Sequence, residues 1–251
     1  MQSILILGGT TEARILAETL ASRSDLAVTL SLAGRTANPK AVPVPVRTGG
    51  FGGADGLADY LSAHGIDLLI DATHPFATTI ADNAALAAKR SNTPAFALRR
   101  AEWQRKPGDR WTECPSAVAA IDALGDVPRH VFLTLGRQEA HVAERAPHHH
   151  YLVRSVDPIN PPLRLPHVCT LLARGPFTLD DDLMLLRDAR IDAVLCKNSG
   201  GDGAYAKIEA ARALGIEVLL VTTPAPSTLP QWTSLSEALG AIDHLLAPRG
   251  A

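Results

Sequence analysis

The sequence predicts an α/β protein of two Rossmann-like, doubly wound lobes with mainly parallel sheets and a cleft between them. Three observations carry that expectation. Short β-branched or leucine-rich runs alternate with helix-period stretches of about ten residues, as successive β-α units require. The alternation occurs twice, and between the two series lies "LRRAEWQRKPGDRWTECP" (98–115), charged, aromatic and proline-broken, with no apolar period. The chain also opens on a strand that runs straight into a glycine turn and an amphipathic helix, "ILILGGTTEARILAETLA" (4–21).

In order, the first series reads as strands over 3–7, 27–32, 42–47, 67–71 and 95–98, with helices over 11–22, 55–64 and 79–90. The second reads as strands near 130–135, 150–155, 168–173, 192–196 and 217–221, with helices near 116–124, 138–144, 179–189, 204–214 and 235–246. The expected plan is a dinucleotide-binding domain over 1–99, a linker over 100–115 and a second α/β domain over 116–251. Pro158, Pro161, Pro162 and Pro166 mark a loop in the second series, and "TTPAPSTLPQW" marks another before the last helix.

Composition narrows the classes of function. With 251 residues, 46% hydrophobic and 20% charged, the chain can bury a sizeable core, and its net charge of -2 offers no basic footprint for nucleic acid or a membrane surface. The run Ile4–Leu7 is too short for a signal peptide, and no stretch approaches the roughly 20 apolar residues of a spanning helix. Cys114, Cys169 and Cys196 form no C-x-x-C pair, so the expected setting is a reducing cytoplasm. A monomer or weak homo-oligomer is expected.

Gly8 and Gly9 end the first strand where the backbone must turn tightly, and Thr11 is positioned to cap the helix that follows. Such a helix N-terminus suits a pyrophosphate. Against G-x-G-x-x-G/A, Gly8 and Ala13 fit the outer positions while Thr10 replaces the middle glycine. "TLSLAGRT", at the end of the second strand, has Arg35 and Thr36 instead of the acid that would bind a ribose 2'-hydroxyl, which favours a 2'-phosphate.

Ligands of open parallel sheets gather at the carboxyl ends of strands. After the fourth strand "DATHPFA" places Asp71, Thr73, His74, Pro75 and Phe76 in one turn. In the second series the ends carry Arg137, Arg174 and "CKNSGGDGAYAK", with Lys197, Asn198, Ser199 and Gly200; cations at several ends imply an anionic ligand. His148, His149 and His150 alternate faces on a strand and are not expected to share a metal. Neither a Tyr-x-x-x-Lys pair nor a G-x-S-x-G elbow is present.

With "LGGTTEARILA", "LAGRT", "DATHPFA", "TLGRQE" and "KNSGGDGAYAKIEAARALGIEVLLV" in this order, the chain resembles the precorrin-6A reductase family over nearly its whole length. The resemblance implies NADPH in the first lobe and reduction of one double bond of a polycarboxylate, tetrapyrrole-derived macrocycle. It places Gly8, Gly9, Thr10 and Thr11 at the pyrophosphate, Arg35 (with Thr36) at the adenosine phosphate, and Thr73, His74, Pro75 and Phe76 beside the nicotinamide. It sets Lys197, Asn198 and Ser199 toward the macrocycle; the strand-end cations Arg137 and Arg174, with Gly200, are the further expected contacts for its carboxylates, and Lys197, Asn198, Asp71 and His74 are the catalytic candidates. The family pattern usually has Arg-Pro after the last strand where this chain has Thr223-Pro224, so one cation that the resemblance implies is missing there. The alternatives are a reductase of the cobalt-containing macrocycle, a non-catalytic NADP-binding sensor, and a tetrapyrrole carrier or chelatase.

Overall fold

A computed structural model describes residues 1–34 and 40–247; Arg35 and Thr36 lie outside the described residues. The chain divides into two compact units, one formed by Met1–Ala101 together with the chain from Pro224 onward, the other by Glu102–Thr223.

The first unit runs β1 (Gln2–Leu7), α1 (Thr11–Leu20), β2 (Leu26–Leu32), β3 (Val46–Thr48), α2 (Gly53–Ala63), β4 (Leu68–Asp71), α3 (Thr78–Ser91) and β5 (Ala95–Leu98). In the second unit come β6 (Arg110–Cys114), α4 (Ala117–Asp122), β7 (His130–Thr134), a 3-10 helix (Ala140–Arg145), β8 (His150–Ser155), β9 (Val168–Leu172), α5 (Leu179–Asp188), β10 (Ala193–Lys197), α6 (Ala206–Leu214) and β11 (Glu217–Val221). The chain then returns to the first unit for β12 (Gln231–Trp232) and α7 (Leu235–Leu246).

Each sheet has six strands, in the orders β12-β5-β4-β1-β2-β3 and β6-β11-β10-β7-β8-β9, and the strand pairs are parallel. The two orders are the same 3-2-1-4-5-6 arrangement with the sixth strands exchanged. β6, which follows β5 in sequence, pairs with β11 in the second sheet, and β12, which follows β11, pairs with β5 in the first.

This exchange corrects the expected domain plan. The segment 100–115 contains strand β6 of the second sheet, and the last stretch of the chain belongs to the first unit. The reason lies in the packing of β1, whose residues alternate between faces. Ile4 and Ile6 pack with Leu16 and Leu20 of α1 and with Ala238 and Ile242 of α7, while Leu5 and Leu7 face Leu57 and Leu61 of α2 and Ala84 of α3. A sheet covered on both faces needs α7 to close the first of them. Its start is fixed by a capping box between Ser234 and Glu237.

Two local expectations also change. The helix expected over 138–144 is a six-residue 3-10 helix, short enough that the α-helical nucleus is not recovered by propagation. The third strand is Val46–Thr48 rather than 42–47.

Candidate functional site

In both sheets the strand order reverses at one place, between β1 and β4 in the first and between β7 and β10 in the second, and in open parallel sheets ligands bind outside the carboxyl ends at such a point.

In the first unit the helix cap is Thr10, not Thr11. Thr10 is extended, and its Oγ1 accepts the Ala13 N–H at 3.1 Å while its hydroxyl donates to the Ala72 carbonyl at 2.7 Å. One side chain thus caps α1 and ties the β1 turn to the β4 turn, which a glycine could not do. At Gly8 a Cβ would lie 2.6 Å from Leu30 Cδ1, so any larger residue must displace that side chain. Gly9 is required by backbone, with φ +120°. The first-turn amides of α1 point out of the helix without intrahelical acceptors, so the turn fits an anionic diphosphate group. Glu12 would oppose an anion there; its carboxylate is met by Arg100 at 3.5 Å.

The "DATHPFA" turn is held by a residue that sequence reasoning missed. Arg99, just past β5, forms an ion pair with Asp71 Oδ2 and donates to the carbonyls of Asp71 (2.8 Å) and Thr73 (3.1 Å). Asp71 is fully buried, and its Oδ1 accepts from Thr73 N (3.1 Å) and Thr73 Oγ1 (2.7 Å). Asp71 is therefore an anchor of the turn rather than an exposed acid. The carbonyls of three successive residues, 71 to 73, are taken by Arg99 and Thr10. His74 Nδ1 accepts the Phe76 N–H at 3.2 Å, which leaves Nε2 as the protonated nitrogen of the neutral ring. His74, Pro75 and Phe76 are half-buried. The only sequence signal for Arg99 was its place immediately after a strand.

In the second unit Lys197 ends β10 and forms an ion pair with Glu139, from the β7 side of the reversal, at 2.6 Å. Arg137 is 4.0 Å from Asp157. The reversal thus brings Arg137 and Lys197 to adjacent strand ends. Arg174 is exposed after the edge strand β9, three strands from β10. The expected set of convergent cations is accordingly a pair plus an outlier.

Asn198 is buried and spent on structure. Its Oδ1 accepts the Trp103 N–H at 2.9 Å, its Nδ2 donates to the Trp103 carbonyl at 3.1 Å, and its own carbonyl accepts the Thr223 hydroxyl at 3.0 Å. Gly200 and Gly201 both have φ +65°, and the Gly201 carbonyl accepts the Trp103 Nε1–H at 2.6 Å. Ser199 is half-buried beside them, its N–H bonded to the Lys197 carbonyl at 2.8 Å. Beneath the strand ends lie a buried Arg154–Asp182 pair at 2.5 Å, with Arg154 stacked 3.6 Å from the Phe177 ring centroid, and Cys196, whose thiol burial pushes up to about 11.

The three histidines do not alternate along a strand as expected: only His150 lies on β8, and the His148 and His149 rings that precede it are 4.0 Å apart between centroids, each of the three with its own partner. His148 Nε2 meets the Gly125 carbonyl at 3.2 Å, His149 Nδ1 accepts the Arg129 N–H at 3.2 Å, and the His150 ring stacks on His167. Among the described residues no group of three or more His, Cys, Asp or Glu is placed to hold a metal, and no helix is long and apolar enough to cross a membrane.

Comparison with known proteins follows the same lines. Residues 3–243 match the family model described as Precorrin-6x reductase CbiJ/CobK. A precorrin-6A reductase from Sinorhizobium sp is 55% identical over 98% of this chain and 94% of its own length. One from Rhodobacter capsulatus is 47% identical over the full length of both. A solved structure titled CobK precorrin-6A reductase covers all of both chains at 46% identity and a TM-score of 0.94.

Proposed function

The chain belongs to the precorrin-6x reductase family and is an oxidoreductase, and from that premise we propose that it reduces one conjugated double bond of precorrin-6A to give precorrin-6B, with NADPH as the donor. The observation that carries the reading is the joined turn in the first unit, where Gly8, Gly9 and the Thr10-capped helix are bonded to the "DATHPFA" turn through the Ala72 carbonyl. A reductase family with a Rossmann-like unit of this kind takes a nicotinamide cofactor.

The amides of Thr11 and Glu12 hold the diphosphate, with Arg100 cancelling the Glu12 charge. Thr73, His74, Pro75 and Phe76 line the nicotinamide end, fixed in place by Arg99 and Asp71. Arg35 and Thr36 receive the 2'-phosphate. When bound there, the cofactor supplies the hydride. The accompanying proton comes from water, to which His74 Nε2–H is available as a hydrogen-bond donor, since Asp71 is occupied by Arg99 and Thr73. Macrocycle carboxylates are received by Lys197 and Arg137, with Arg174, Ser199 and Gly200 at the margin and Asn198 shaping the loop. Binding energy from those contacts orients the ring for reduction. A reducing cytoplasm suits three unpaired cysteines, of which Cys114 and Cys196 are buried.

The test is cofactor titration of the wild type and Arg35→Ala. A charge-assisted hydrogen bond contributes roughly 1.5–3 kcal/mol, so the variant should bind NADPH about 10- to 150-fold more weakly and NADH unchanged. Equal wild-type affinity for NADH and NADPH would refute the NADPH assignment. Turnover monitored near ~340 nm with the macrocycle present separates a reductase from a sensor or carrier.

A further inference from the structure

In the second unit β7 is followed by Gly136-Arg137-Gln138-Glu139-Ala140, the same Gly-x-x-Glu-Ala that follows β1 in the first unit as Gly9 to Ala13. The glycine has a positive φ in both turns, +84° and +120°, and the alanine is fully buried in both. What the turns offer an anion differs. After β1 an α-helix begins and presents its first amides, whereas after β7 the amides of Glu139 and Ala140 are both bonded to the Gly136 carbonyl, at 3.2 and 3.1 Å. An acidic ligand at the end of β7 therefore depends on side-chain cations.

Those cations, Lys197 and Arg137, already face carboxylates of the same unit. Lys197 Nζ is 2.6 Å from Glu139 Oε1, with the lysine side chain 14% exposed and the glutamate 44%. Arg137 is 4.0 Å from Asp157, and there the exposures are reversed, 38% for the arginine and 15% for the aspartate. This contrast decides which pair opens. Asp157 is the inner member of its pair, its carbonyl tied by the Ser155 hydroxyl at 2.6 Å, and the guanidinium outside it has five donors, so a second carboxylate joins Arg137 without displacing the first. Lys197 is the inner member of its pair. A carboxylate approaching it meets the like charge of Glu139 first, and reaches the ammonium when Glu139 turns out into water, where its carboxylate regains hydration.

We propose that Glu139 is an internal counter-ion which Lys197 exchanges for one carboxylate of the macrocycle, and that Glu139 thereby sets the affinity of the second unit for its acidic ligand. The inference rests on the reading that Lys197 receives a macrocycle carboxylate. In the exchange one ion pair is broken and one is made, so the net gain from Lys197 is small while Glu139 is charged. A neutral group offered at the same place does not displace Glu139 and leaves the ammonium covered, which makes the exchange a source of specificity.

The experiment is equilibrium dialysis of precorrin-6A against the full chain without NADPH, so that no turnover occurs, read from the visible absorption of the macrocycle. Glu139→Gln removes the competing charge from a half-exposed position and should tighten Kd about 2- to 5-fold. In the Glu139→Gln background, Lys197→Gln should then weaken binding about 10- to 150-fold, the worth of a charge-assisted contact. With Glu139 present the same change should cost about 2- to 5-fold less, because the wild-type lysine must first give up a partner. A glutamate that merely holds Lys197 in place gives the opposite sign, with Glu139→Gln weakening binding and Lys197 mattering less without it. An unchanged or weaker affinity in Glu139→Gln, with Lys197→Gln still costly, overturns the exchange and leaves the carboxylate reading of Lys197 intact. No loss on Lys197→Gln in either background overturns both.

Discussion

Thr10 stands where the dinucleotide fingerprint has its middle glycine, and its two hydrogen bonds make the consequence of changing it calculable. Thr10→Ser keeps both the acceptor for Ala13 N and the donor to the Ala72 carbonyl, so it should be within about 0.5 kcal/mol of wild type. Thr10→Ala removes the cap, at about 1 kcal/mol, and leaves the carbonyl of the fully buried Ala72 without this donor, at about 1–3 kcal/mol, for a total near 2–4. Thr10→Gly restores the fingerprint but should still lose about 1–3 kcal/mol, because glycine is a tolerable cap and only the strand-to-strand tie disappears. Urea unfolding should therefore rank the midpoints as wild type and Ser, then Gly, then Ala, with unchanged m-values. If Thr10→Gly matched Thr10→Ser, the bond to Ala72 would contribute nothing and the explanation of the departed glycine would be wrong.

Further expectations rest on other contacts. Gly56→Ala, normally a gain in a helix, should destabilise by more than about 1 kcal/mol and exceed the effect of Gly8→Ala, because its Cβ would fall 1.8 Å from the Phe51 carbonyl oxygen, backbone that cannot yield as the Leu30 side chain can; thermal melts decide the order. Breaking the buried Arg154–Asp182 pair by Asp182→Asn should cost about 3–5 kcal/mol, and Arg154→Met with Asp182→Leu much less, so a double variant no more stable than the single one would contradict the desolvation argument. Burial, then the neighbouring His148 and Arg129 charges, hold His149 below its ordinary value near 6.5, and its buried Nε2 has no hydrogen-bond partner among the described residues. The folded state thus binds fewer protons than the unfolded one, so this contribution is present above pH 6.5 and lost as pH falls below it; urea midpoints at pH 7.5 and 5.5 should converge in His149→Gln relative to wild type, and an unchanged pH dependence would remove His149 as its source.

Much of this protein is determined locally. Apolar runs such as Ile4–Leu7, buried on both sides, read as parallel strands because no polar face interrupts them, and the turn Gly8-Gly9-Thr10 reads as a phosphate site because glycine geometry and a helix N-terminus depend only on neighbours in sequence. The ordered motifs identified the reductase family for the same reason. The tertiary structure decided what depends on partners far along the chain. The exchange of β6 and β12 is invisible in either segment, since a short strand carries no mark of which sheet it will join, and α7 reveals its unit only when Ile242 meets Ile4 and Ile6. The same holds for side chains. Asp71, Lys197 and Asn198 looked alike as polar residues at strand ends, but Arg99 at a separation of 28 residues, Glu139 at 58 and Trp103 at 95 give them different work. A sequence supplies the charge and the hydrogen-bonding groups; whether they face a ligand or a neighbour is set by long-range packing, which alone brings those partners within reach.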